Sequence, residues 1–213
     1  MALNKLKFNS INVTPAANEA IRFNSSANGF DTATPGAMTL IATNTITSGV
    51  SSSDFTSSID STYDTYLFKF ISLHPSSNAV EFKVNFRDGG SNFDATKTTT
   101  MFRSWQLENG TSTGLAYDDG RDLAQSTGVL QIGYDIGNDN DQSASGYLHL
   151  YDPSNTTFVK HFIARCNFTH YQDYQIDQYT AGYCNVTAAI DGVQFSMSSD
   201  NIDAGTFKLY GVV

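Results

Sequence analysis

The chain reads as an all-β protein, a jelly roll or β-sandwich of about ten antiparallel strands with an extended N-terminal arm. Three observations predict this. Ser, Thr and Asn together supply 63 of the 213 residues while Glu and Lys supply only ten, a composition that withholds the usual helix-surface formers and suits strands and turns. Short apolar or alternating segments recur at roughly ten-residue spacing between turn clusters. No stretch keeps a helical or heptad period, and no internal repeat is sustained. With 40% hydrophobic and 13% aromatic residues, the chain has material for a packed core.

Residues 1–38 form the arm. They are polar, with short alternating bursts at Leu6 and Phe8 and at Ile21 and Phe23, interrupted by Asn28-Gly29 and Pro35-Gly36. These four apolar residues are the expected docking contacts. The sandwich domain is expected over 39–213 and begins with a strand at 39–47. Segment 66–73 has aromatic residues on one parity and aliphatic residues on the other, the pattern of a central strand covered on both faces except at Lys69. Segment 79–87 alternates Val80, Phe82, Val84 and Phe86 against Glu81, Lys83, Asn85 and Arg87, one face buried and one wet, before an Asp88-Gly89-Gly90 turn. Further strands are expected at 101–107, 129–134, 146–151, 158–168, 182–190, 193–197 and 206–213. Asp191-Gly192 reads as a two-residue hairpin turn between the segments on either side of it.

Charge and chain ends exclude several classes of function. Eighteen Asp and three Glu against seven Lys and five Arg leave a formal net charge of −9, which repels phosphate backbones and anionic lipid. No nucleic-acid partner and no membrane insertion is expected. Residues 1–8 lack the apolar run of a signal peptide, and no stretch approaches the ~20 apolar residues of a bilayer span, so cytosolic synthesis and a soluble product are expected. Cys166 and Cys184 each sit within an apolar-aromatic run and are read as two buried thiols rather than a disulfide. The six Asn-x-Ser/Thr sequons carry no weight without a secretion signal.

A search for chemistry returns no catalytic, cofactor-binding or metal-ligating assignment. His74, His149, His161 and His170 share no zinc-type spacing, and Gly-x-Ser-x-Gly and Walker-type loops are absent from the sequence. His149 and His161 lie within expected strands and read as strand-face histidines. Two acidic clusters, at 118–122 and 135–141, carry oxygens that can wrap a hard cation, but neither has the order of an EF-hand loop or its closing Glu, and both read as solvated loops. A glycosidase would need two opposed carboxyl groups, which spacing in a folded-back sandwich does not reveal. The most distinctive cluster follows His170: Tyr171, Asp173, Tyr174, Asp177 and Tyr179 interleave with Gln. It reads either as a loop that stacks rings on a host-surface glycan or as a subunit seam or core rim. Trp105, the single tryptophan, is assigned to the core.

The last segment, Val193-Gln194-Phe195-Ser196-Met197 through Gly205-Thr206-Phe207-Lys208-Leu209-Tyr210-Gly211-Val212-Val213, resembles the C-terminal pattern of virion structural proteins of marine and cyanobacterial tailed phages. Leu40-Ile41-Ala42-Thr43-Asn44-Thr45-Ile46, Ile59-Asp60-Ser61-Thr62-Tyr63-Asp64-Thr65-Tyr66 and Ile21-Arg22-Phe23-Asn24-Ser25-Ser26 are similar to the same group. The resemblance implies a jelly-roll domain in a tail fibre, tail appendage or head decoration, assembled in the host cytoplasm and resident in the virion. It implies contacts with other tail or capsid proteins and a homotrimer. It supplies no catalytic motif and no cofactor. Host attachment through a tail fibre or appendage is the leading expectation, capsid decoration the alternative, and a carbohydrate-binding or carbohydrate-active domain the alternative of another class.

Overall fold

In a computed structural model the described residues are 20–24, 26, 28–33 and 38–212, and they carry fourteen strands and no α-helix. The chain separates into two compact units, Met1–Thr39 and Leu40–Val213.

The first unit contains an antiparallel hairpin of β1 (Ala20–Phe23) and β2 (Phe30–Ala33). The Asn24 amide N–H donates to the Gly29 carbonyl at 3.0 Å, and the Asn24 and Asn28 side chains bond to each other. Phe23 faces Phe30 across the ladder and the rings stack at 5.1 Å. Ile21, Phe23 and Phe30 remain 45%, 70% and 47% exposed. Of the four apolar arm residues picked from sequence, Ile21 and Phe23 lie on this hairpin, and Leu6 and Phe8 lie outside the described residues.

The second unit is built from β3 (Met38–Ile46), β4 (Ser52–Phe55), β5 (Thr65–Pro75), β6 (Val80–Arg87), β7 (Lys97–Leu107), β8 (Thr113–Tyr117), β9 (Leu130–Ile136), β10 (Ala144–Tyr151), β11 (Lys160–Thr169), β12 (Tyr174–Cys184), β13 (Gly192–Met197) and β14 (Ile202–Val212). One sheet has the order β3-β14-β5-β10-β11-β12-β7-β8, the other β4-β13-β6-β9. When the hairpins β7–β8 and β11–β12 are set aside, eight strands remain. They pair first with last, second with seventh, third with sixth and fourth with fifth, and successive pairs alternate between the sheets. That is one long antiparallel hairpin wound on itself, the jelly roll. The two inserted hairpins extend the larger sheet beyond β10.

Period-two alternation aims the core. Phe68 and Phe70 of β5, Phe82 of β6, Phe195 of β13 and Phe207 of β14 are fully buried. Phe70 meets Phe82 edge-on at 5.0 Å, and Phe195 stacks on both Phe82 (5.8 Å) and Phe207 (5.1 Å). The expected face of β6, Val80 through Phe86, is buried, while Asn85 departs from the wet parity: it is buried and donates its side-chain N–H to the Phe93 carbonyl. Strand β5 does lie inside the sheet, between β14 and β10. Its outer face is not fully covered, since Ile71 is 42% exposed.

A bulge near Ser72 explains how β5 keeps apolar residues on both parities. Phe70 pairs Gly146 but Leu73 pairs Ala144, so one extra residue restores Leu73 to the inner face. Gly205 lies across from this bulge at φ +130°, and a Cβ there would meet the Leu73 backbone at 2.9 Å. Phe207 and Leu209 then point inward, and a Cβ on Gly211 would overlap the ring of Tyr63. The Gly-Thr-x-x-Leu-Tyr-Gly segment is therefore a packing signature in this chain.

Three expectations are corrected. Segment 182–190 is not a strand beyond Cys184; Ile190 and Val186 pack on the core from a loop instead. Asp191-Gly192 is accordingly no hairpin turn, because β13 pairs with β4 and β6, both distant in sequence. The Tyr171–Tyr179 cluster is not one loop, since β12 begins at Tyr174. Strands β4 and β8 were not anticipated. Both cysteines are free and buried.

Candidate functional site

The turn joining β11 to β12 spans His170 to Asp173 and is closed by the His170 N–H donating to the Tyr174 carbonyl at 2.9 Å. From Tyr174 onward the strand sends Ile176, Gln178 and Thr180 inward. Tyr174 shares their parity. Asp177 and Tyr179 fall on the opposite face, so the three tyrosines do not line one groove. On that outer face Arg165 donates to both oxygens of Asp177, at 2.8 and 2.6 Å. The Tyr179 ring stacks parallel on Phe102 at 4.7 Å, with the Arg165 guanidinium 4.6 Å from its centre. Asp173 accepts from the Gln142 side chain at 3.2 Å, and the Tyr171 ring lies 4.6 Å from that of His170.

The inner parity builds a cleft. The smaller sheet ends at β9, which packs over β11 and β12; the inner face of β7 is met by the 3-10 turn Asp119–Arg121. There a cleft of about 360 Å³ opens, lined by Arg103 and Trp105 from β7, Tyr134 from β9, Tyr174 and Ile176 from β12, His170 and Gln172 from the turn, and Ser112 from the β7–β8 turn. Trp105 is only partly buried but packs against the core cluster, so its assignment to the core holds in part: the ring also lines this cleft. Its indole lies over Gly114, its partner on β8, and any Cβ at that position would overlap the six-membered ring.

Electrostatics in the cleft turn on Tyr134. The guanidinium groups of Arg103 and Arg121 each lie 4.4 Å from its ring centre, and Arg103 also lies 5.2 Å from that of Trp105. Arg103 donates to the Tyr134 hydroxyl, and burial pushes that phenol's pKa up. Asp118 is shared, accepting from Arg121 at 3.0 Å and from Arg103 at a longer 3.4 Å, and the buried Arg103 Nε has no acceptor. His170 accepts at Nδ1 from the Gln172 N–H at 3.1 Å, which places the neutral ring's proton on Nε2, 3.7 Å from Asp135. Burial lowers its pKa. Through the bond at Nδ1 the histidine braces the turn. The cleft offers stacking faces, hydrogen bonds and one positive charge, the requirements for binding a small polar ring.

Part of each acidic cluster is tied into the protein. Asp118 serves the two arginines, Asp122 accepts from the Tyr117 hydroxyl, and Asp135 faces His170. Among the described residues no three His, Cys, Asp or Glu side chains converge where a metal ion would sit.

Sequence reasoning missed a second feature, the outer face of the larger sheet. Register aligns Tyr147, Arg165, Tyr179, Phe102 and Tyr117 in one row across five strands. Leu115, Tyr117 and Ile163 are 72%, 62% and 45% exposed, and a trough of about 450 Å³ runs between Tyr151, His161, Ile163 and Tyr183. The signal was present as Tyr147 and Tyr151 on the wet parity of segment 146–151 and as Ile163 on that of segment 158–168. No family model, curated protein or solved structure matches the chain.

Proposed function

We propose that this protein is a non-enzymatic surface component of a tailed-phage virion, a jelly-roll module anchored through its N-terminal segment and serving host attachment in a tail fibre or appendage. The observation that carries this reading is the β1–β2 hairpin. A two-stranded hairpin has marginal stability on its own, and this one leaves Ile21, Phe23 and Phe30 in solvent, as a docking element awaiting a neighbouring virion protein would. The aromatic outer face of the larger sheet suits contact between copies, in keeping with the homotrimer that the resemblance implies.

Immunogold labelling of intact particles with an antibody to this chain tests the reading. Label confined to the tail is the expected result. Label spread over the head would replace attachment with capsid decoration, and particles without label would overturn the virion assignment.

A further inference from the structure

We propose that the cleft between Trp105, Tyr134 and Tyr174 binds a carboxylate-bearing pyranose, a sugar of the hexuronic acid class. This goes beyond the virion reading and stands without it. The Trp105 and Tyr174 rings on the lining offer electron-rich faces on which the C–H side of a saturated sugar ring stacks, the Tyr134 ring being engaged by the guanidinium groups of Arg103 and Arg121, while Ser112 and Gln172 stand on the same lining to meet ring hydroxyls. At about 360 Å³ the cleft lies within the range of small-molecule sites.

The acidic group follows from Arg103, the one charged residue of the lining. A guanidinium carries five N–H donors. Here one goes to Tyr134, one reaches Asp118 only at 3.4 Å, and Nε has no acceptor. Asp118 is already held more closely by Arg121. A ligand carboxylate in the cleft would take charge-assisted hydrogen bonds from the Nη N–H groups left over from these two contacts, Nε being closed off from solvent. A nucleotide fits less well, since its several phosphate charges would meet a single cation in a chain of net charge −9.

Trp105 is the only tryptophan, so indole emission reports on this cleft alone. The full-length protein is titrated with sodium glucuronate and galacturonate, with glucose, and with sodium acetate at matched ionic strength. The expected result is a saturable emission change with at least one uronate, about tenfold or more tighter than with glucose, and none with acetate. Arg103→Gln should weaken uronate binding by about tenfold or more. Because Arg103 also braces Tyr134, Gln172→Ala provides a second variant at an exposed turn position, expected to weaken binding a few-fold with melting unchanged. No saturable response to either uronate, an equal response to glucose or acetate, or unaltered binding in both variants would overturn the proposal.

Discussion

Lys97 and Lys160 enter the inner face of the larger sheet on either side of Cys184, paired with it in register on β7 and β11. Both are fully buried. Lys97 donates its Nζ–H to the Gly128 carbonyl at 2.8 Å, and Lys160 donates to the carbonyls of Val186, Asn155 and Phe158 at 2.6, 3.1 and 3.3 Å. Burial lowers the pKa of Lys97 to about 8 and that of Lys160 as well. Burial also outweighs the two neighbouring ammonium groups at Cys184, whose thiol is pushed up to about 12, and raises Cys166. Neither thiol is primed for nucleophilic chemistry. The lysine shift has a consequence for stability. Between about pH 8 and 10.5 the unfolded chain keeps the Lys97 proton that the folded chain has released, so the unfolded state binds more protons and this residue's contribution to stability rises with pH. Lys97→Met removes that dependence. Urea unfolding should show the stability difference between wild type and variant moving in favour of wild type from about pH 7.5 to about pH 10. A difference independent of pH would show that Lys97 is not desolvated in the folded protein.

At the scale of elements, the N-terminal hairpin and the jelly roll differ in what holds them. The buried core cluster begins at Ile46, with Ile41 and Ala42 packed against it, and among the described residues it draws on nothing earlier. Deleting residues 1–36 should therefore leave a soluble domain with cooperative unfolding that no longer enters particles. Loss of cooperative unfolding in the truncated chain would instead place the N-terminal segment within the folding unit. Strand β6 was legible because its alternation is local: Val80, Phe82, Val84 and Phe86 need only a sheet with one covered face. Strands β4 and β8 were not, because Ser52–Phe55 is short and polar and Thr113–Tyr117 is short and carries a glycine, and both acquire strand structure by pairing with β13 and β7. The 182–190 segment shows the reverse, with Cys184, Val186 and Ile190 apolar because each packs on the core, the last two from outside any ladder. The tyrosine cluster was visible as a cluster, but the turn ending at Asp173 separates Tyr171 from a strand on which Tyr174 and Tyr179, an odd number of residues apart, take opposite faces, and only the packing of that strand determines which ring enters the cleft.

For the whole molecule, part of the acidic charge is taken up by internal pairing, and among the described residues no three His, Cys, Asp or Glu side chains converge. Arg103 and Arg121 share Asp118, Arg87 holds Asp191 at 2.8 Å, and Arg165 holds Asp177. Chelation of divalent cations should thus shift the melting temperature by no more than about 2 °C. A fall of more than about 10 °C on chelation would show that one of the acidic loops carries a bound ion. The jelly roll sets the two faces of the larger sheet apart. The inner one is packed against β4, β13, β6 and β9 along most of its width and opens into the Trp105 cleft past β9. The outer one presents its aromatic row to solvent, together with the exposed Leu115 and Ile163.

The sequence by itself determined the all-β class, the two-sided register of β6, the central position of β5 and the burial of both thiols, because composition and period-two alternation act over a few neighbouring residues. Tertiary structure alone decided that Trp105, packed on the core, also lines a cleft, that the Tyr174 face of β12 is the one turned inward, and that Arg103 is left with donors in excess of acceptors. The physical reason is that those properties belong to pairs distant in the chain. The cleft exists only where the inserted hairpins carry β7 and β12 past the edge of the smaller sheet, and no local pattern of residues encodes where that edge will fall.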